Sequence, residues 1–187
     1  MLQSPAPDTA TASAPTFSWN GGPIVLVGLM GVGKSTVGRR LAQRLHLPFV
    51  DADTEIESAA DMSIPEIFER FGEPYFRDGE RRVIARLMDG TPKVIATGGG
   101  AFVNDETRRL ILGEATAVWL DADVEVLVDR VRRRDSRPLL RGRDPRAVLA
   151  ELARVRNPLY AEAHLRISSN RAPHDVTVAA ILKAIGR

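Results

Sequence analysis

The sequence contains no cysteine, which excludes disulfides and thiolate metal sites and removes any sign of a cross-linked secreted scaffold. No apolar run approaches the ~20 residues needed to span a bilayer, so no membrane partner is expected. Excess charge of one sign is also absent. With 26 basic and 24 acidic residues the net charge is +2, too balanced to argue for nucleic acid. Lysine is scarce, three residues against 23 arginines, a bias from which no function follows. Internal repeats and heptads are missing, and a monomer is expected. The first residues lack the basic start and apolar core of a secretory signal and the arginines of a transit peptide, so the expected compartment is the cytoplasm.

The length of 187 residues suits one compact domain. Residues 1–20 are rich in Ala, Pro, Ser and Thr and have no hydrophobic period. They cannot bury enough apolar surface to offset their ordering entropy, and a disordered tail is expected there, with a single domain over 21–187.

The stretch that organises the domain is Gly28 to Ser35. Ile24 to Val27 form a short apolar run before it, and Val37, Leu41 and Leu45 follow at a four-residue spacing, so a buried strand, a glycine turn and a helix over about 34–46 are expected. The turn, GLMGVGKS, fits G-x-x-x-x-G-K-[ST]. Glycines let successive backbone N–H groups curl inward around phosphate oxygens, and the helix N-terminus adds its partial positive charge. Gly31, Val32, Gly33, Lys34, Ser35 and Thr36 are the nucleotide-contacting candidates. Lys34 reaches the β- and γ-phosphates, and the Ser35 hydroxyl is a ligand for Mg²⁺.

Further along, Phe49 and Val50 read as a short strand with Asp51 and Asp53 at its end. Each acid has two readings: a cap for the helix that follows, or a group facing the phosphate loop at the edge where open α/β sheets bind ligands. Ser63 and Glu66 make a capping box for a helix stopped by Gly72, and a second helix is expected over 75–88. This pair forms an insert over about 54–90, suited to gripping a substrate. Val94 to Ala96 read as a third strand running into Gly98-Gly99-Gly100, where backbone can approach something closely because no Cβ intervenes. A helix over 105–112, a strand over 115–120 and a helix from Asp123 with Val124, Leu127, Val128 and Val131 inward complete further βα units. Between Arg130 and Arg143 stand seven arginines, broken by Pro138 and Gly142. Without interleaved aromatics or a nucleic-acid motif, an arginine-bearing lid over a polyphosphate, about 133–145, fits better. A helix over 145–163, a strand over 164–168 and a helix over 175–185 with Val176, Ala180 and Ile181 inward close the chain.

No Asn-Lys-x-Asp motif is present, which disfavours a GTPase switch. No aspartate ends the third strand as in NTPase motors; the glycines stand there. The segments GLMGVGKSTVGRRLA, FVDADTEIE, FRDGE, ATGGG, SRPLL and RNPLY stand in the order and at about the spacing seen in shikimate kinases, and the chain resembles that family from Ile24 to its C-terminus.

The resemblance implies an α/β fold of three αβα layers, with a five-stranded parallel sheet in the order 2-3-1-4-5. It implies transfer of the ATP γ-phosphate to the 3-hydroxyl of shikimate, a step of chorismate and aromatic amino-acid biosynthesis. By motif, Asp53, Arg77, Gly98, Gly99 and Arg156 bind shikimate, and Lys34, Asp53 and Arg137 are catalytic, with Arg137 on the lid. Arg130 and Arg171 lie around the adenine. Ser35 ligates Mg²⁺ directly and Asp51 holds it through water. The chemistry is consistent, since a carboxylate suits guanidinium forks and ring hydroxyls suit an aspartate and a bare glycine amide. Asp53 either removes the hydroxyl proton or only orients the hydroxyl. Glu80 reads as the partner that holds Arg77. A related gluconate kinase and a non-catalytic descendant remain the rival readings.

Overall fold

The computed structural model describes residues 17–133, 140 and 142–187. Its centre is a five-stranded sheet in the order β2-β3-β1-β4-β5, with β1 Ile24–Val27, β2 Phe49–Asp51, β3 Val94–Ala96, β4 Thr116–Asp121 and β5 Leu165–Ser168. Every pairing is parallel, with Leu26 opposite Ala96 on one side and Val118 on the other. Central β1 is wholly apolar because helices cover both faces of a parallel sheet, and all four of its side chains are fully buried. All five strands end at the same edge, which therefore receives every loop that follows a strand.

Helices α1 Lys34–Leu45, α2 Ala52–Ala60, α3 Ile64–Leu87, α4 Asp105–Glu114, α5 Val124–Val131, α6 Pro145–Tyr160 and α7 His174–Ala184 surround the sheet. The capping box at the start of α3 forms as expected, the Ser63 N–H donating to Glu66 Oε2 at 2.9 Å. Gly72, at φ 79° and ψ 174°, interrupts α3, so its two halves correspond to the two helices read from the sequence. Pro158 lies inside α6, two residues before its last residue Tyr160, and the helix runs through it at the cost of one N–H donor.

One inward assignment on α7 is corrected. Val176 is 56% exposed, while Val178, Ile181, Leu182 and Ile185 are buried. The helix begins at His174, and its buried stripe follows the 178, 181, 182, 185 spacing rather than one that includes 176. At the other end of the chain, Phe17 and Trp19 fall within the stretch whose composition predicts a tail. The Phe17 ring lies 5.7 Å from the His164 ring, Trp19 Nε1 donates to the Gly22 carbonyl at 3.0 Å, and the Arg187 guanidinium covers the Trp19 ring. Two aromatics supply the apolar area that the preceding residues lack.

Candidate functional site

The site is assembled where β1, β2 and β3 end. Gly31 and Gly33, at φ 82° and 100°, give the loop after β1 its curl. Gly33 is the N-cap of α1 and has no side chain to satisfy the first-turn N–H groups, which stay available to an anion. The Lys34 ammonium is folded over the loop, donating to the carbonyls of Gly28 at 2.7 Å and Leu29 at 3.0 Å. Val32 is buried; its carbonyl accepts from Arg130 Nη1 at 3.1 Å and from Ser169 Oγ at 2.9 Å.

Asp51 resolves the two readings of the acids after β2 by serving both. Its Oδ1 accepts from the Asp53 N–H at 3.1 Å and caps α2, while its Oδ2 accepts from the Ser35 hydroxyl at 2.5 Å. Asp53 stands in the first turn of α2 and faces the loop after β3.

None of that loop's three glycines has a positive φ, and at Gly98 and Gly100 it is space that the missing side chain provides. A Cβ at Gly98 would stand 2.8 Å from Glu80 Oε1 and 3.0 Å from Asp53 Oδ1. A Cβ at Gly99 would meet Arg156 Nη1 at 3.6 Å, and one at Gly100 would come within 2.6 Å of the Arg77 guanidinium carbon. Gly98 thus admits two carboxylates and Gly100 an arginine, while at Gly99 the Arg156 guanidinium stands at ordinary contact distance.

The arginines are held in place. Arg77 Nη1 donates to Glu80 Oε2 at 2.8 Å, and its Nε and Nη2 reach Glu73. Glu80 is 3% exposed, as a partner for Arg77 should be. Burial pushes its carboxyl above the usual range and the Arg77 charge opposes this only in part. Among the described residues its Oε1 accepts no hydrogen bond. Arg156 comes from α6, and Tyr160, one turn on, donates its hydroxyl to the Gly99 carbonyl.

A cavity of about 390 Å³ occupies this edge. Gly31, Gly33, Lys34, Ser35 and Thr36 line it together with Asp51, Asp53, Thr97, Gly98, Gly99, Arg130, Arg133 and His174. Arg130 ties the phosphate loop to the segment after β5, through Gly31 and Val32 on one side and the Asn170 carbonyl on the other. Arg171 does not join it there: it is exposed and paired with Asp129 at 3.1 Å. Arg137 lies outside the described residues, as does most of the lid. Among the described residues no cluster of three His, Asp or Glu side chains could hold a metal alone, and no helix is long and apolar enough to cross a membrane.

Sequence reasoning missed Arg133, Thr97, His174 and Tyr160. Arg133 was one of seven neighbouring arginines with nothing to single it out. Thr97 adjoins the glycines and donates to the Leu26 carbonyl at 3.0 Å, which ties β3 to β1. His174 directly follows Pro173 at the start of α7 and packs its ring against Gly33.

Comparison with known proteins bears on this geometry. A sequence model described as shikimate kinase matches residues 30–186. A shikimate kinase of Caulobacter vibrioides is 65% identical over 162 residues, 87% of this chain and 81% of that protein. The structure of a shikimate kinase from Acinetobacter baumannii in complex with shikimate aligns with a TM-score of 0.86 at 40% identity, over 89% of this chain and 93% of that one. A gluconokinase from Sinorhizobium meliloti, at 19% identity and a TM-score of 0.58 over 89% of this chain and 93% of its own, shares the fold alone. The order and identity of the motifs, the sheet topology and these matches agree, and the chain belongs to the shikimate kinase family.

Proposed function

We propose that the cavity transfers the γ-phosphate of ATP to the 3-hydroxyl of shikimate, with the phosphate loop as donor side and Asp53, Arg77, Gly98, Gly99 and Arg156 as acceptor side. The observation that carries this reading is that one cavity is lined both by Lys34, Ser35 and Thr36 and by Asp53, Gly98 and Gly99, residues that reach it from three different strand ends.

The acceptor side matches an anionic polyol. Two guanidinium groups flank Gly99 and Gly100, suited to a carboxylate, and the Asp53 carboxylate stands beside Gly98, suited to ring hydroxyls. On the donor side, first-turn N–H groups and Lys34 take phosphate oxygens, and Arg130 and Arg133 extend the positive wall. Arg137 completes it on sequence grounds, neutralising charge on the moving phosphoryl group, and Arg171 is left as a surface residue beside the adenine side.

The donor set near Ser35 fits Mg²⁺. A hydroxyl and a carboxylate already 2.5 Å apart are hard oxygen ligands, too few for a cation alone and sufficient when phosphate oxygens join them. Such an ion, when bound, neutralises charge between the β- and γ-phosphates. The role of Asp53 is then one of positioning. It aims the attacking hydroxyl at phosphorus, and a loose transition state asks little of a base. The protein is read as a cytoplasmic monomer taking two small substrates.

Coupled measurement of ADP release tests the reading. Turnover should require Mg²⁺-ATP and rise sharply with shikimate but not with gluconate. Turnover indifferent to shikimate would overturn it.

A further inference from the structure

The loop Gly98-Gly99-Gly100 has the freest backbone available to any tripeptide, yet it must present a fixed surface to a small molecule. Each of its carbonyls is held. The Ala101 N–H donates to Gly98 at 3.2 Å and the Val103 N–H to Gly100 at 3.1 Å, both from the short turn that follows. The middle carbonyl, on Gly99, is held instead from across the fold by the Tyr160 hydroxyl.

Tyr160 is fully buried, with the Phe102 and Trp119 rings 6.4 and 6.1 Å away. Phenylalanine would fill that apolar slot equally well, and a buried hydroxyl costs free energy unless it is bonded. Tyr160 also lies one turn beyond Arg156 on the same face of α6, and Arg156 Nη1 stands 3.6 Å from where a Cβ on Gly99 would be. One helix face therefore meets Gly99 twice, with a guanidinium and with a phenol.

We propose that Tyr160 is a positioning residue of the acceptor site, fixing Gly99 and Arg156 relative to each other so that the substrate's hydroxyl and carboxylate meet both at once. The proposal rests on the functional reading above. Burial pushes the phenol up to about 12, against the pull of Arg156, so the hydroxyl keeps its proton and donates throughout the working pH range. Loss of that proton donor frees the middle of the loop without emptying the core.

The test is steady-state kinetics of Tyr160→Phe beside Trp119→Phe, which trims the packing around Tyr160 and leaves the hydroxyl. Tyr160→Phe is expected to raise KM for shikimate on the order of tenfold, with KM for ATP within about twofold of the unaltered protein. Trp119→Phe should lower Tm and leave both KM values in place. An unchanged KM for shikimate in Tyr160→Phe, or an equal rise in both variants, overturns the proposal. Should Tyr160→Phe not fold, the unaltered protein still decides: exchange of the Tyr160 hydroxyl proton, followed by NMR, should slow on adding shikimate and not on adding ADP, and equal exchange with and without shikimate overturns it. An unaltered protein that does not phosphorylate shikimate at all would end the functional reading as well, a result separate from either of these.

Discussion

The Ser35 hydroxyl donates to the Asp51 carboxylate across 2.5 Å, joining the first turn of α1 to the last residue of β2. The second Asp51 oxygen caps α2. One carboxylate thus caps α2 with one atom and, in the function proposed above, serves a cation site with the other, and the two roles can be separated by substitution.

Asp51→Asn keeps a good cap and removes the charge. Its Tm should stay within about 2 °C of the unaltered protein, a shift of roughly half a kcal/mol for a domain this size. The Mg²⁺ concentration giving half-maximal rate should rise severalfold. A magnesium titration at fixed ATP measures this, and an unchanged midpoint would remove Asp51 from the cation site.

Asp53→Asn should lower kcat by about 100-fold or more while changing KM for ATP by less than about threefold, since the proposed role sets the residue against the acceptor and not the nucleotide. Initial rates over a grid of both substrates separate the two effects. Comparable losses in kcat and in ATP affinity would contradict the assignment.

Gly100→Ala isolates space from backbone strain. Gly100 has φ −97°, which alanine adopts freely, but the new methyl would stand 2.6 Å from the Arg77 guanidinium carbon. Circular dichroism should show an intact fold, with KM for shikimate raised about tenfold as Arg77 is pushed aside. A variant with unaltered KM would show that Arg77 acts from another position.

Glu80 has a folded-state pKa raised by burial, so the folded protein holds that proton more tightly than the unfolded chain does. The stability this supplies is complete below the unfolded value, near 4.5, and is lost as pH rises through the folded value. Glu80→Gln cannot titrate. The Tm of the unaltered protein, measured against that of Glu80→Gln, should therefore be relatively highest at acid pH and decline as pH rises. A difference that is constant across the range would show that Glu80 carries no such shift.

Much of this molecule is legible locally. The phosphate loop is a contiguous motif, and the strands and helices follow from period and caps in windows of ten to twenty residues, so their order and approximate bounds need no tertiary information. Capping at Ser63 and the break at Gly72 are of this kind. Asp53, Arg77, Gly99 and Arg156 sit in short motifs that resemblance alone could single out, and that the chain belongs to the family follows from those motifs in order.

Tertiary packing decided what those residues touch. The sequence proposes that something approaches three glycines; only the fold assigns Glu80 and Asp53 to the first, Arg156 to the second and Arg77 to the third. Tyr160 and Gly99 lie 61 positions apart, and no period relates them. Val176 turned outward and His174 turned toward Gly33 because α7 packs on α1 and β5 with its 178, 181, 182, 185 face buried, which sets the rotation of the whole helix. Local pattern determines the elements because it acts through neighbours in the chain. Close packing of side chains from distant elements determines the site, since a burial or a hydrogen bond there depends on where several helices come to rest at once.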